Sequence, residues 1–127
     1  MTTTSTRAYR IRARRQNTPA NALKFVTDPI CGGHLRGVAH PERPDRVEAV
    51  AARLREERIL AQTIAARDAS NEAIERVHTR AYRELAEREI ERLTQARYLS
   101  TGDTVVDAAS YRAALRAAGG AIAAAEA

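Results

Sequence analysis

Apolar residues recur along this chain at two spacings, and the elements follow from them. Leu23-Lys24-Phe25-Val26-Thr27 is a short β-type run closed by Asp28-Pro29, which predicts a strand. Val47, Val50, Ala51 and Leu54 then fall at i, i+3, i+4 and i+7, the signature of a helix from about 44 to 58 with one buried face. A second short β run, Gln62-Thr63-Ile64-Ala65, follows it. Asp68-Ala69-Ser70-Asn71 supplies N-cap chemistry for a helix over 72–77, and Thr79 can cap again before Tyr82, Leu85, Ala86, Glu89, Ile90 and Leu93 continue at helical spacing. Ile74, Val77, Leu85, Ile90 and Leu93 are the expected core, and the charged residues from Arg83 to Arg92 the solvated face. Pairs such as Glu84 with Arg88 are worth only ~0.2–0.5 kcal/mol each there. A loop over about 97–108, with a β-type Thr104-Val105-Val106, precedes a last helix from Ser110 to Ala127 in which Gly119-Gly120 permits another backbone to come close. Residues 1–22 show no stable period and read as a disordered basic arm, and residues 23–127 as the ordered segment.

Between the first strand and the first long helix stands His40-Pro41-Glu42-Arg43-Pro44-Asp45-Arg46. The two prolines force extended backbone before each of them, and Pro44 sits where a first helical turn tolerates a missing N–H. Asp45 and Glu48 suit the positive end of the helix dipole. None of this accounts for Arg43 and Arg46 at the mouth of the helix.

Composition limits what the segment can do alone. Of 127 residues, 27 are alanine, and Leu, Ile, Val and Phe together number only 23. A buried CH₂ contributes ~0.8 kcal/mol against ~1.5–3 for a whole Leu or Val side chain, so alanine-rich faces yield little burial each. Short β runs also need neighbours for their N–H and C=O groups. Both observations imply helices laid against a larger body, either a missing remainder of the domain or a partner chain; the rival reading is a stand-alone alanine-rich helical interaction module. The last residues, Ala124-Ala125-Glu126-Ala127, place an acid at the unfavourable end of the dipole with no Gly or Asn stop signal, so the segment reads as incomplete at its C-terminus.

The formal net charge of +5 rests wholly on Arg7, Arg10, Arg12, Arg14 and Arg15, because the remaining charges cancel. The ordered segment therefore gives no reason to expect a nucleic-acid partner, and a peptide acting through the arm is the weakest reading. One cysteine, Cys31, excludes an internal disulfide framework and suits a reducing compartment. No apolar run approaches the ~18 residues of a membrane span, and no secretory signal leads the chain, so a cytoplasmic protein without membrane partners is expected.

Cys31, His34 and His40 lie in the glycine-rich loop Cys31-Gly32-Gly33-His34-Leu35-Arg36-Gly37-Val38-Ala39-His40, and their atoms suit zinc. A closed structural site needs four ligands at compact spacing, and the remaining histidine, His78, lies in another segment. A turn-rich loop is the simpler reading.

Four motifs in order carry a more specific signal: Gly32-Gly33-His34, then His40 to Leu54 (HPERPDRVEAVAARL), then Val77-His78-Thr79-Arg80-Ala81-Tyr82, then Gly102-Asp103-Thr104-Val105-Val106 with Ser110-Tyr111-Arg112-Ala113-Ala114. Together they resemble the opening of the histone deacetylase family, which includes acetylpolyamine amidohydrolases. The resemblance implies the N-terminal part of an α/β arginase/deacetylase-type fold, a mainly parallel sheet with flanking helices, mostly helical in this portion. It implies a zinc hydrolase that removes acetyl groups from acetyl-lysine or acetylpolyamine amides. In that family a paired-histidine motif and an Asp, His, Asp ligand set hold the chemistry, and this sequence contains neither an adjacent histidine pair nor an Asp-x-His motif. The chain alone is thus expected to hold no catalytic residue or metal ligand, to bind no zinc and to turn over no substrate. The resemblance places His40 and Pro41 in a loop walling the substrate tunnel, Arg46 at an inner channel for the acetate product and Asp103 near the rim. Arg46 could equally pair with Asp45 or Glu42 on a helix surface, and Asp103 after Gly102 is also an ordinary turn residue. Where the family has Pro-Gly or a similar turn before its Ser-Tyr, this chain departs with Asp107-Ala108-Ala109.

Overall fold

A computed structural model describes residues 24–59 and 62–127. The expected arm over 1–22, and Leu23 of the first β run, lie outside the described residues. Strand β1 (Lys24–Val26) ends at a 3₁₀ turn (Pro29–Gly33), followed by helix α1 (Asp45–Glu56) and strand β2 (Gln62–Ile64). Then come α2 (Asn71–Glu75), α3 (Arg80–Glu91), the strands β3 (Arg97–Tyr98) and β4 (Val105–Val106), and α4 (Ser110–Glu126).

Strands β1 and β2 pair in parallel, Lys24 opposite Gln62 and Val26 opposite Ile64, with α1 in the crossover. The partner β1 needed is therefore within the chain, although two three-residue strands are only a seed of a sheet. The β-type run at Thr104-Val105-Val106 gives β4, and it pairs in an antiparallel hairpin with β3, which the sequence marks only as loop, Tyr98 facing Val105. Local cap chemistry sets the helix starts as expected. Ser70 Oγ accepts from the Ala73 N–H at 3.2 Å, and Thr79 Oγ1 from the Tyr82 N–H at 3.2 Å.

Helix α4 is the centre of the packing, touching the 3₁₀ turn, β1 and α3. Its core side gathers Ala86, Ile90, Leu99 and Val106, with Leu93 and Tyr111 packed around them. Two clamps tie α4 to the segments beyond β1 and β2. The Leu115 carbonyl accepts from the Ala69 N–H at 2.9 Å, and the Arg116 guanidinium reaches Asp28 and Asp68, each at 2.6 Å.

Three expectations of burial fail, each for a tertiary reason. The stripe on α1 is largely uncovered: Val47 and Val50 are 58% and 59% exposed, because α1 meets the described chain mainly at the 3₁₀ turn. Val77 is 82% exposed, since α2 ends at Glu75 and the chain turns before α3. Arg83 belongs not to the solvated face but to the interior, where it binds Glu75 at 3.0 Å and Glu87 at 3.1 Å and reaches Glu84 at 3.4 Å. Glu84 thus serves Arg83, and no Glu84–Arg88 pair forms among the described residues.

Candidate functional site

The loop between the 3₁₀ turn and α1 is held at both ends. Leu35 is the most deeply buried large side chain, and it takes left-handed backbone at φ 50°. That conformation aims its N–H at Asp107, whose Oδ2 accepts at 2.8 Å. At the far end Pro44 is buried, and its carbonyl accepts from the N–H groups of Val47 and Glu48, which starts α1. Arg36 ties the middle by donating to the Gly32 carbonyl at 2.9 Å and pairing with Glu48 at 2.9 Å.

A cavity of about 590 Å³ opens in front of α1, lined by Cys31, His34, Glu42, Arg43, Pro44, Arg46, Val47 and Val50. Arg46 stands on its wall and forms no ion pair among the described residues, neither with Asp45 nor with Glu42. The structure therefore leaves its guanidinium available. His40 and Pro41 precede the cavity in the chain without lining it, and the His40 Nδ1 accepts from the Glu42 N–H at 3.2 Å. Asp103 is exposed near the tip of the β3–β4 hairpin and lies outside this cavity. Of the residues singled out from the sequence, the fold brings Arg46 together with Cys31 and His34, and it leaves Asp103 apart.

On its other side His34 faces a second cavity of about 480 Å³, formed where α3, α4 and the hairpin leave the core incompletely filled around Ala86, Ile90, Leu99 and Val106. The wall between the two carries a link that the sequence reading missed. His34 Nδ1 lies 2.8 Å from Ser110 Oγ, and Ser110 Oγ lies 2.9 Å from Asp107 Oδ1. Asp107 closes the turn that leads into α4 by accepting from the Ala109 N–H at 3.1 Å, and Ser110, the first residue of the helix, accepts from the Asp107 N–H at 2.8 Å. The Asp107–Ser110 exchange is local, spanning three residues. Nothing local marks its third member, 76 residues away.

The donors do not fit a metal centre. Cys31 hands its thiol to the Ala113 carbonyl at 4.0 Å, and burial, with Asp28 adding to it, pushes that thiol above its ordinary value, against the thiolate a zinc site needs. His34 and His40 each hold Nδ1 in a hydrogen bond, which leaves only Nε2 of either ring for a ligand. Among the described residues no three His, Cys, Asp or Glu side chains converge on one point.

A parallel strand pair with a helix in its crossover and further helices packed around it is the start of an α/β domain, and the arginine-walled cavity lies in front of the crossover helix. The family model "Histone deacetylase domain" matches residues 40–127. The chain belongs to the histone deacetylase family. Among solved structures it is similar to the HD domain of HDA15, with 30% sequence identity and a TM-score of 0.63 over 74% of this chain. It spans 28% of that chain's length. No curated protein sequence matches it.

Proposed function

We propose that this chain forms the product-side wall of a zinc-dependent deacylase acting on acetyl-lysine or acetylpolyamine amides, with zinc and the catalytic histidines supplied by the remainder of the deacetylase domain. The observation that carries the reading is Arg46, an unpaired guanidinium among the described residues on the wall of a cavity large enough for a small acid. A guanidinium keeps its charge and presents a fork of N–H donors that matches a carboxylate, the group amide hydrolysis releases. His40 and Pro41 would wall the substrate path and Asp103 would stand at its rim. The single cysteine suits a cytoplasmic location. Within the family assignment, a self-sufficient helical module is the less favoured reading.

The test is kinetic. In a complete deacetylase domain carrying these residues, Arg46→Met should lower turnover roughly tenfold or more, the worth of one charge-assisted hydrogen bond, with the substrate KM little changed. The 127-residue chain alone should release no acetate from an acetyl-lysine peptide, with or without added zinc. Unchanged turnover in the Arg46 variant, or hydrolysis by the chain alone, would overturn the reading.

A further inference from the structure

The hydrogen-bond directions around Ser110 are fixed by chemistry. An ionised carboxylate only accepts, so the 2.9 Å contact between Ser110 Oγ and Asp107 Oδ1 uses the single proton of the serine hydroxyl. The Asp107 N–H takes one lone pair of that oxygen at 2.8 Å. What remains is the 2.8 Å contact with His34 Nδ1, which is a hydrogen bond only if Nδ1 carries the hydrogen. The opposite arrangement, Ser110 donating to Nδ1, would set two acceptor oxygens against each other at 2.9 Å. Neutral His34 is therefore the Nδ1–H tautomer, and its lone pair sits on Nε2. That atom makes no hydrogen bond among the described residues and is not sealed inside the protein, and His34 lines both the cavity that Arg46 lines and the apolar one behind it.

We propose that Asp107 and Ser110 are positioning residues that hold His34 with Nε2 as a hydrogen-bond acceptor. The Arg46 cavity then has a donor at one point and an acceptor at another, and so prefers a small carboxylate bearing a hydroxyl group, a 2-hydroxy acid, to a plain one. The carboxylate lies on the Arg46 fork, and its hydroxyl donates to Nε2. This deepens the proposed function and rests on Arg46 as the holder of a carboxylate.

Two measurements on the full chain test it. The first is the ¹⁵N spectrum of the imidazoles at a pH where they are neutral. His34 should show a protonated Nδ1 and a bare Nε2, and Ser110→Ala should release that bias without unfolding α4, as followed by circular dichroism. A wild-type His34 with its hydrogen on Nε2 overturns the inference and leaves the Arg46 reading standing; this readout needs no variant to fold. The second is titration with glycolate and with acetate. Glycolate should bind about three- to tenfold tighter, what one neutral hydrogen bond supplies, and His34→Phe should erase the difference. Equal binding of the two acids overturns the inference alone, and binding of neither overturns it together with the Arg46 reading.

Discussion

Gly119 of α4 lies so close under the Arg67 carbonyl that a Cβ at this position would meet the oxygen at 1.8 Å. The neighbour is backbone, so it cannot swing aside as a side chain would. At Gly120 a Cβ would meet Val26 Cγ1 at 2.9 Å, where the obstacle is the end of a side chain. In an ordinary helix Gly→Ala stabilises by ~1 kcal/mol. Here the sign reverses. Gly119→Ala should cost roughly 3 kcal/mol or more and Gly120→Ala about 1–2, by the overpacking rule. Urea midpoints at constant m would show the ranking, and equal effects would mean that the helix does not seat on the segment after β2 as described.

Ile90 and Val50 carry equal promise in the sequence and unequal burial in the fold. Ile90 is 4% exposed and joins the core cluster, whereas Val50 is 59% exposed. Ile90→Ala should therefore cost about 2–5 kcal/mol, and Val50→Ala should stay within about 0.5 kcal/mol. Thermal unfolding of the two variants of this chain decides it.

That contrast shows which parts of the fold are legible along the chain. Cap residues Ser70 and Thr79 act on N–H groups three residues away, so local spacing suffices to find them. The glycine pair of α4 is equally local, since a helix that gives up two side chains in a row makes room for something. Burial of α1 and of Arg83 depends on what arrives from elsewhere. Periodicity announces an apolar stripe but not whether a neighbour covers it, and a charge in a charged run goes inside only when Glu75 comes from another helix to meet it. The same holds for the candidate site. Arg46 stands out at the mouth of a helix, while His34 and Ser110 gain their meaning only once the fold brings them together.

Arg116 bridging Asp28 and Asp68 makes stability depend on acid titration. Asp28 is held below the usual carboxylate value first by the Ile30 N–H and then by Arg116, against the opposing effect of burial. Glu75 is lowered chiefly by its hydrogen bond from Arg83, and Glu89 by the Ser100 hydroxyl and N–H. In each case the unfolded chain binds the proton more readily than the folded one. The stabilisation is thus complete above the ordinary carboxyl range of ~4 and is lost as the pH falls through the lower folded values. Melting temperature should fall steadily below about pH 4.5. Asp28→Asn should lower it at neutral pH and flatten the acid slope, and an unaltered slope would show that Asp28 is not a principal titrating group.

Arg58 closes α1 in left-handed backbone at φ 56°, a conformation that costs a side chain about 1–2 kcal/mol and glycine almost nothing. The surrounding geometry is a complete helix stop: the Arg58 N–H donates to the Arg55 carbonyl at 3.0 Å and the Ile59 N–H to the Leu54 carbonyl at 2.9 Å. Because the guanidinium is exposed and forms no ion pair among the described residues, its removal forfeits nothing. Arg58→Gly should then stabilise the chain by about 0.5–1 kcal/mol, the relief of strain less the extra entropy glycine gives the unfolded state. Arg58→Ala keeps the Cβ and should show no such gain. If the two variants unfold at the same denaturant concentration, the left-handed turn after α1 is not the conformation the chain holds in solution.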